Sequence, residues 1–351
     1  MYEAERARIF NFIMTLELLH AVVQGRSLTE EEAHSAMGVL LSGECSQVLT
    51  AAFLTALRIK GETVDELTGF ARAMRAAATP LPIRDAFRPV LDTCGTGGSG
   101  IATFNISTVS AFVVAGAGVR VAKHGNRAIS GKCGSADVLE ALGVNTQVSP
   151  ELVARAVEET GIGFLFAPAF HGAMRHVQPV RMELKMRTAF NYLGPLTNPA
   201  RAEVQVAGTW SDDAAEMIAQ VSARLGLQRG FVVHGSDGLG ELTITGASTV
   251  FSIQNGAVSR LTLRPGDFGL DVQPAAGIAG GDARQNRAIA ERVLAGEKGA
   301  PRDIVIMNAA LALIAAGKCA NYLQAAAAAA ESIDSGAAQE KLVQLRAATA
   351  L

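Results

Sequence analysis

The sequence predicts an α/β protein: a small N-terminal all-α domain, then a larger α/β domain with a mostly parallel sheet. Three observations carry this reading. The chain has 351 residues, which at ~150 residues per domain suits two domains. Residues 10–80 show helical apolar spacing and no strand pattern. From residue 89 onward, short apolar runs alternate with helical stretches, as parallel strands covered by helices do.

The elements follow in order. "IFNFIMTLELLHAVVQG" has the apolar spacing of a helix and stops at Gly25. "LTEEEAHSAMGVLLSG" opens on Thr29 with Glu32 three residues later, the spacing of a capping box, and stops at Gly43. "SQVLTAAFLTALRIKG" and "TVDELTGFARAMRAAA" repeat the pattern, the second with Thr63 and Glu66 at capping-box spacing. Packing, with a share in dimerisation, is the expected role of this lobe. "PVLDTC" then reads as a buried strand, followed by a glycine loop and the helix "STVSAFVVAGAG". The strand "VRVAKHG", a polar loop and the helix "SADVLEALG" come next, and "GIGFLFAP" and "GFVVHG" are further buried strands. "ELTITG", "STVFSIQNG" and "AVSRLTL" alternate apolar with polar residues around an Asn255-Gly256 turn, predicting antiparallel strands over 241–263. The tail, 283–351, is Ala-rich and helical.

Composition excludes several classes. Apolar residues make up 49% of the chain, ample for a packed core and wrong for a disordered one. Aromatic residues are only 5%, and the net charge is −2, so neither stacking platforms nor an overall basic field favours nucleic acid. No apolar run is long enough to predict a membrane span. The four cysteines, Cys45, Cys94, Cys133 and Cys319, have no metal or CxxC spacing, so reduced thiols in a cytoplasmic protein are expected.

Four segments carry the chemistry. The first is "LDTCGTGGSGIATFNIST", residues 91–108, a glycine loop between a strand and a helix. Such a loop brings backbone N–H groups onto phosphate oxygens beside a helix N-terminus, and Thr96, Ser99, Thr103, Ser107 and Thr108 add hydroxyls. Gly95-x-Gly97-x-x-Gly100 matches the dinucleotide fingerprint, but the next strand ends in the basic pair Lys123-His124 where that fingerprint needs an acid. The second, "VAKHGNRAISGKCGSADVLEALG", sets Lys123, His124, Arg127 and Lys132 in a loop after a strand. One glycine-rich and one basic loop at strand ends suggest a ligand with more than one phosphate. The third, residues 164–200, spaces His171, Arg175, His176, Arg181, Lys185 and Arg187 at near-helical intervals. Arginine suits a carboxylate. Zinc on the two histidines is disfavoured by their spacing and the lack of a third ligand. "GPLTNP" predicts a rigid corner through Gly194, Pro195 and Pro199. The fourth, "VVHGSDGLGELTITG", carries Asp237 and Glu241, and a glutamate beside a polyphosphate can hold Mg²⁺.

Together the motifs "GTGG", "FNIST", "KHGNR", "GSADVLEALG" and "GPLTNPA", in that order, resemble the anthranilate phosphoribosyltransferases of tryptophan biosynthesis. The resemblance spans nearly the whole chain, including "AFLTALRIKGET" and "ARAMR" in the helical part. It implies a nucleoside phosphorylase/phosphoribosyltransferase-like fold, with a helical domain over 1–82 joined by part of 175–200 and an α/β domain over 83–351. It implies a homodimer, Mg²⁺, and transfer of phosphoribose from 5-phosphoribosyl 1-diphosphate to the amine of anthranilate. By matching motif, Gly95, Gly98, Ser99, Thr103 and the run Asn105, Ile106, Ser107, Thr108 would line the phosphoribosyl diphosphate site. Lys123, His124, Gly125, Asn126, Arg127, Ala128, Ile129, Ser130, Gly131 and Ser135 would complete it. Gly95, Asn126 and Arg181 match anthranilate contacts, with His124 and Pro195 beside them; His124 and Arg181 are the catalytic candidates. Ser107 and Glu241 match metal ligands. Two positions depart from the family pattern: Ser99 stands where the family loop has aspartate, and Gly240-Glu241 where it has Asp-Glu. The competing readings are a pyrimidine-nucleoside phosphorylase and a non-catalytic paralogue acting as a nucleic-acid binder or scaffold.

Overall fold

A computed structural model describes residues 2–98, 100–128 and 131–350, with side chains from residue 13 onward. The chain divides into two compact units, Met1–Thr79 with Phe170–Thr197, and Pro80–Ala169 with Asn198–Leu351.

The first unit is helical. Its N-terminal helices span Tyr2–Val23, Glu30–Ser42, Gln47–Lys60 and Val64–Ala77. Both predicted capping boxes form: Thr29 accepts the Glu32 N–H and Thr63 the Glu66 N–H, while each glutamate accepts the N–H of its threonine. Each such cap contributes ~1 kcal/mol, which matters for helices this short. Glu66 is fully buried, because it also accepts Leu28 N–H at 2.9 Å and pairs with Lys60 at 3.0 Å. The later helices of this unit are Gln178–Leu184 and Phe190–Leu196. Gly194 and Pro195 therefore lie in a helix and not in the predicted corner. Pro195 lies inside this helix and has no N–H to donate to the preceding turn, and the helix ends at Leu196. Arg75 holds that end by donating Nε–H to the Leu196 carbonyl at 2.7 Å.

The second unit is built on one sheet. Among the described residues its strands are β1 Leu91–Asp92, β2 Val121–Gly125, β3 Ile162–Phe166, β4 Val204–Gly208, β5 Arg229–Gly235, β6 Ser248–Gln254 and β7 Ala257–Leu263. Their order is β3-β2-β1-β4-β5-β6-β7. The first five are parallel, and β5 to β7 pair antiparallel, so the sheet is mostly parallel as predicted. Asn255 and Gly256 take φ of 50° and 81°, the two left-handed residues that a tight hairpin turn needs. Residues 241–246 form no strand, contrary to the alternating pattern. Leu242 and Ile244 are buried, but Thr243 and Thr245 give their hydroxyls to Asp237, which folds the segment back as a loop. The β4 strand has no counterpart among the predicted elements. Buried helices Ile106–Gly116 and Ala300–Ala315 pack together and cover the sheet, the second apolar almost all round. Among the described residues no helix is long and apolar enough to cross a membrane.

The chain runs outward from β1 in both directions: β2 and β3 lie on one side, β4 and β5 on the other. The reversal point is the β1/β4 seam. The helical connections of a parallel sheet diverge there, and the carboxyl ends of the two strands are left open for a ligand.

Candidate active site

The seam is held from within by Asp92, the last residue of β1. It is completely buried, and its Oδ1 accepts the N–H groups of Cys94 and His124, both at 3.0 Å. Its Oδ2 accepts Gln205 Nε2 at 3.2 Å. One carboxylate thus joins the end of β1 to the end of β2 and to the first half of β4. Burial pushes its pKa up, against the pull of Lys123 and these donors. Lys123 points from β2 towards β1 and donates Nζ–H to the Thr93 carbonyl at 3.1 Å and its hydroxyl at 3.2 Å. Burial lowers the Lys123 pKa, while the fields of Cys94, Asp92 and Glu241 oppose the change. His124, next along the strand, is buried and projects to the opposite face.

Beyond Thr93 the glycine loop crosses β4. Thr96 donates N–H to the Gly208 carbonyl at 2.9 Å. A Cβ on Gly208 would stand 1.4 Å from the Gly240 carbonyl oxygen, so the loops after β1, β4 and β5 meet backbone to backbone. Gly97 and Gly98 take φ of 68° and 72°, which turns the loop back towards the start of the Ile106–Gly116 helix.

These loops line a recess of about 30 Å³, bounded by Thr93, Gly95, Ser107, Gly208, Glu241 and Asn308, among others. Asn308 exchanges two hydrogen bonds with the Leu242 backbone, at 3.0 and 3.1 Å, and so fixes the neighbouring Glu241. Burial pushes the Glu241 carboxyl up to about 7; Lys123 pulls it down and Asp237 pushes it further up. Asp237 holds the loop: it accepts Thr243 and Thr245 hydroxyls at 2.6 and 2.7 Å and Leu239 N–H at 3.1 Å. Among the described residues no group of three or more His, Cys, Asp or Glu side chains is arranged to hold a metal. Glu241 and Ser107 share the recess as one carboxylate and one hydroxyl.

The remaining predicted site residues divide. Ile106 and Thr108 are buried in the interior, which leaves only their backbone for a ligand. Thr103 bridges to Ala279. Arg127 is taken up by Glu140, with two contacts of 2.7 Å, and lies near Asp137 at 3.4 Å. Asp137 Oδ2 accepts the N–H groups of Ala128 and Gly134, pinning both ends of the basic loop, in which Gly131 is exposed. Ser135 and Asn126 exchange hydrogen bonds at 3.2 Å. Gly125 closes β2. Ser99, Ile129 and Ser130 lie outside the described residues. Arg181 and Pro195 belong to the helical unit. The Arg181 guanidinium lies 5.2 Å from the Phe190 ring centre. Burial lowers its pKa. Sequence reasoning missed Asp92, Gln205, Gly208, Asp137 and Asn308; a buried acid ending an apolar run, as in "PVLDTC", was the available signal for the first.

The chain matches the glycosyl transferase family, helical bundle domain, over residues 16–78 and the a/b domain of that family over 88–339. It is 56% identical over 327 residues to the anthranilate phosphoribosyltransferase of Solibacter usitatus, covering 93% of this chain and 96% of that one. The chain belongs to the anthranilate phosphoribosyltransferase family. The Thermus thermophilus family structure superposes with a TM-score of 0.89 at 45% identity, covering 94% of this chain and 98% of that one. The Saccharomyces cerevisiae enzyme in complex with PRPP and Mg superposes with a TM-score of 0.88 at 28% identity, covering 95% and 97%. The same yeast enzyme in complex with 4-fluoroanthranilate gives 0.86 at 28% identity, covering 97% and 98%. Neither the nucleoside phosphorylase nor the non-catalytic reading finds support among these relatives.

Proposed function

We propose that this chain transfers phosphoribose from 5-phosphoribosyl 1-diphosphate to the amine of anthranilate, giving N-(5-phosphoribosyl)anthranilate and diphosphate. The recess at the β1/β4 seam supports this most directly. It joins a glycine loop, a helix start and Glu241 within one small volume. The anthranilate nitrogen attacks the anomeric carbon as the bond from that carbon to the diphosphate oxygen breaks. The amine then loses a proton to water or diphosphate. The sugar is cation-like at the transition state, so the difficulty lies in stabilising the departing diphosphate. The N–H groups of the glycine loop and of the start of the Ile106–Gly116 helix supply fixed donors. Lys123 supplies positive charge from behind Thr93. The aromatic amine is neutral at pH 7 and needs no strong base, in keeping with a site that has no acid–base dyad among its described residues. Excluding water keeps the sugar cation from hydrolysis.

Mg²⁺ fits this donor set. One carboxylate and one hydroxyl are few ligands, but Mg²⁺ is commonly held by one or two carboxylates, substrate phosphates and water. Glu241 and Ser107 would hold it, and it would neutralise the leaving diphosphate. Arg181 is assigned to the anthranilate carboxylate, with Pro195 and Asn126 beside the ring; its buried guanidinium and its Phe190 contact suit that role. His124 is assigned to the acceptor's surroundings. The remaining motif residues, Gly95, Gly98, Ser99, Thr103, Asn105 to Thr108, Gly125 to Gly131 and Ser135, are assigned to the phosphorylated substrate. We further propose a cytoplasmic homodimer. The cysteines of the described residues are all free. Val48, Ile59, Met182 and Met186 are exposed apolar side chains on the helical unit that a second copy would cover.

The test is the loss of anthranilate fluorescence with 5-phosphoribosyl 1-diphosphate across a Mg²⁺ titration. Consumption that requires both is expected. No consumption with both present refutes the reading.

A further inference from the structure

The Ile106–Gly116 helix begins at Asn105, a residue type that ordinarily caps its own helix, yet its side chain makes no cap hydrogen bond. The amide is used elsewhere. Its Oδ1 accepts Asn286 Nδ2–H at 3.0 Å and lies 3.3 Å from the Cys133 thiol. Its Nδ2 donates to the Cys133 carbonyl at 3.2 Å. Asn286 is 1% exposed, and its own Oδ1 accepts the Gly281 N–H at 2.7 Å. The chain just before Gly281 lies on the glycine loop: Thr103 bridges to Ala279, and Gly280 donates N–H to the Ala102 carbonyl at 3.1 Å. Three segments therefore converge on one amide. They are the end of the glycine loop, the end of the basic loop and the start of the Ala283–Leu294 helix.

We propose that Asn286 is a positioning residue for the phosphorylated substrate, acting through Asn105 to hold the glycine loop and the basic loop in one fixed arrangement. This rests on the function proposed above. The logic is one of polarity. Gly281 N–H occupies the Asn286 oxygen, so the Asn286 nitrogen faces Asn105. Asn105 must then turn its oxygen to Asn286, and its own nitrogen faces the Cys133 carbonyl. Deleting the Asn286 donor frees the Asn105 amide to rotate and cap its own helix. The basic loop then loses its tie to the glycine loop, although each loop keeps its internal bonds.

The test uses Asn286→Ala, the isosteric Asn286→Asp, Asn105→Ala and the Asn105→Ala/Asn286→Ala double variant. Asn286→Asp keeps the acceptor for Gly281 N–H but sets an acceptor against Asn105 Oδ1. Calorimetry with Mg²⁺ reads affinity for 5-phosphoribosyl 1-diphosphate, and amide exchange reads residues 126–138. Each Asn286 variant is expected to bind the diphosphate about tenfold more weakly. KM for anthranilate should rise by less than the affinity for the diphosphate falls, since Asn126 alone of the loosened residues is assigned beside the acceptor, and exchange should rise in 126–138. The double variant should lose no more affinity than Asn105→Ala alone, because both act on one tie. Should Asn286→Ala fail to fold, Asn286→Asp carries the same expectations. Parental affinity and exchange in a folded variant, or losses that add in the double variant, overturn the proposal. A parent chain that binds no 5-phosphoribosyl 1-diphosphate refutes the proposed function and the ligand named here, and the exchange comparison still decides whether the tie exists.

Discussion

Glu241 is the group whose state at neutral pH matters most. Burial pushes its carboxyl up to about 7, from an ordinary value of 4.5. A metal-bearing ligand needs the ionised form. With a pKa of about 7 the carboxyl is about nine-tenths ionised at pH 8 and about one-tenth ionised at pH 6. The Mg²⁺ concentration for half-maximal activity should therefore rise about tenfold between pH 8 and pH 6 through this residue. An ordinary carboxylate would change it by only a few per cent over the same range. Titration of the substrate's own diphosphate is separated out by Asp237→Asn. That variant removes the negative field that raises Glu241 and leaves the substrate untouched. Its Mg²⁺ profile should move to lower pH. Burial is the larger cause of the shift, so the deciding variant is Glu241→Gln, which cannot titrate: a folded Glu241→Gln chain that keeps the parent's tenfold change would refute the assignment of this pH dependence to Glu241.

The same shift has a sign for stability. Between 4.5 and about 7 the folded chain keeps a proton on Glu241 that the unfolded chain has released. Stability is therefore lost as pH rises through that window. Glu241→Gln removes this cost, so its gain in Tm over the parent should be larger at pH 8 than at pH 5. A gain that is the same at both pH values would show that the carboxyl titrates normally.

Other outcomes are expected elsewhere. Arg181→Ala should weaken anthranilate use by roughly ten- to a hundredfold, ~1.5–3 kcal/mol for a charge-assisted contact, with little change for 5-phosphoribosyl 1-diphosphate; equal losses for both substrates in steady-state kinetics would count against the carboxylate role. Gly208→Ala puts a methyl group 1.4 Å from the Gly240 carbonyl oxygen. It should force two loops apart at a cost of ~1–3 kcal/mol, seen as a lower Tm together with weaker diphosphate binding. Gly240→Asp adds a second acid beside Glu241 and should lower the Mg²⁺ requirement. The left-handed turn of that loop is at Gly238, φ 91°, so backbone strain at residue 240 does not oppose the change. An unaltered Mg²⁺ titration would remove this loop from the metal site.

What was legible in the sequence is what local physics dictates. Thr29 with Glu32 and Thr63 with Glu66 are four-residue signals, and both form as read. Asn255-Gly256 is a two-residue signal, and it too forms the turn. The misreadings come where a distant partner decides. In "ELTITG" the alternation is real, and its apolar positions are buried. The threonines spend their hydroxyls on Asp237, so the segment closes on itself instead of pairing. In "VQVAG" the polar Gln205 breaks the apolar run that would mark a central strand. It is tolerated in β4 because Asp92 receives its side chain.

That last pair also explains why the site residues were only half visible. A motif shows which side chains are chemically able to act, and Lys123, Ser107 and Glu241 could be picked out in this way. It does not show what holds them. Asp92 makes no promise of chemistry in "PVLDTC", yet its two oxygens accept bonds from β2, from β4 and from the loop it starts. Remove that carboxylate, and Cys94 N–H, His124 N–H and the Gln205 amide each lose a hydrogen bond that ties strand to strand, at ~0.5–1.5 kcal/mol apiece. The same damage falls on both sides of β1, where it meets β2 and where it meets β4. The anchors Asp92, Asn286 and Asn308 each bond to backbone or side chains many residues away, so no window of local sequence contains both ends of the interaction. The chemistry of this site is written in short motifs, and its geometry is written between them.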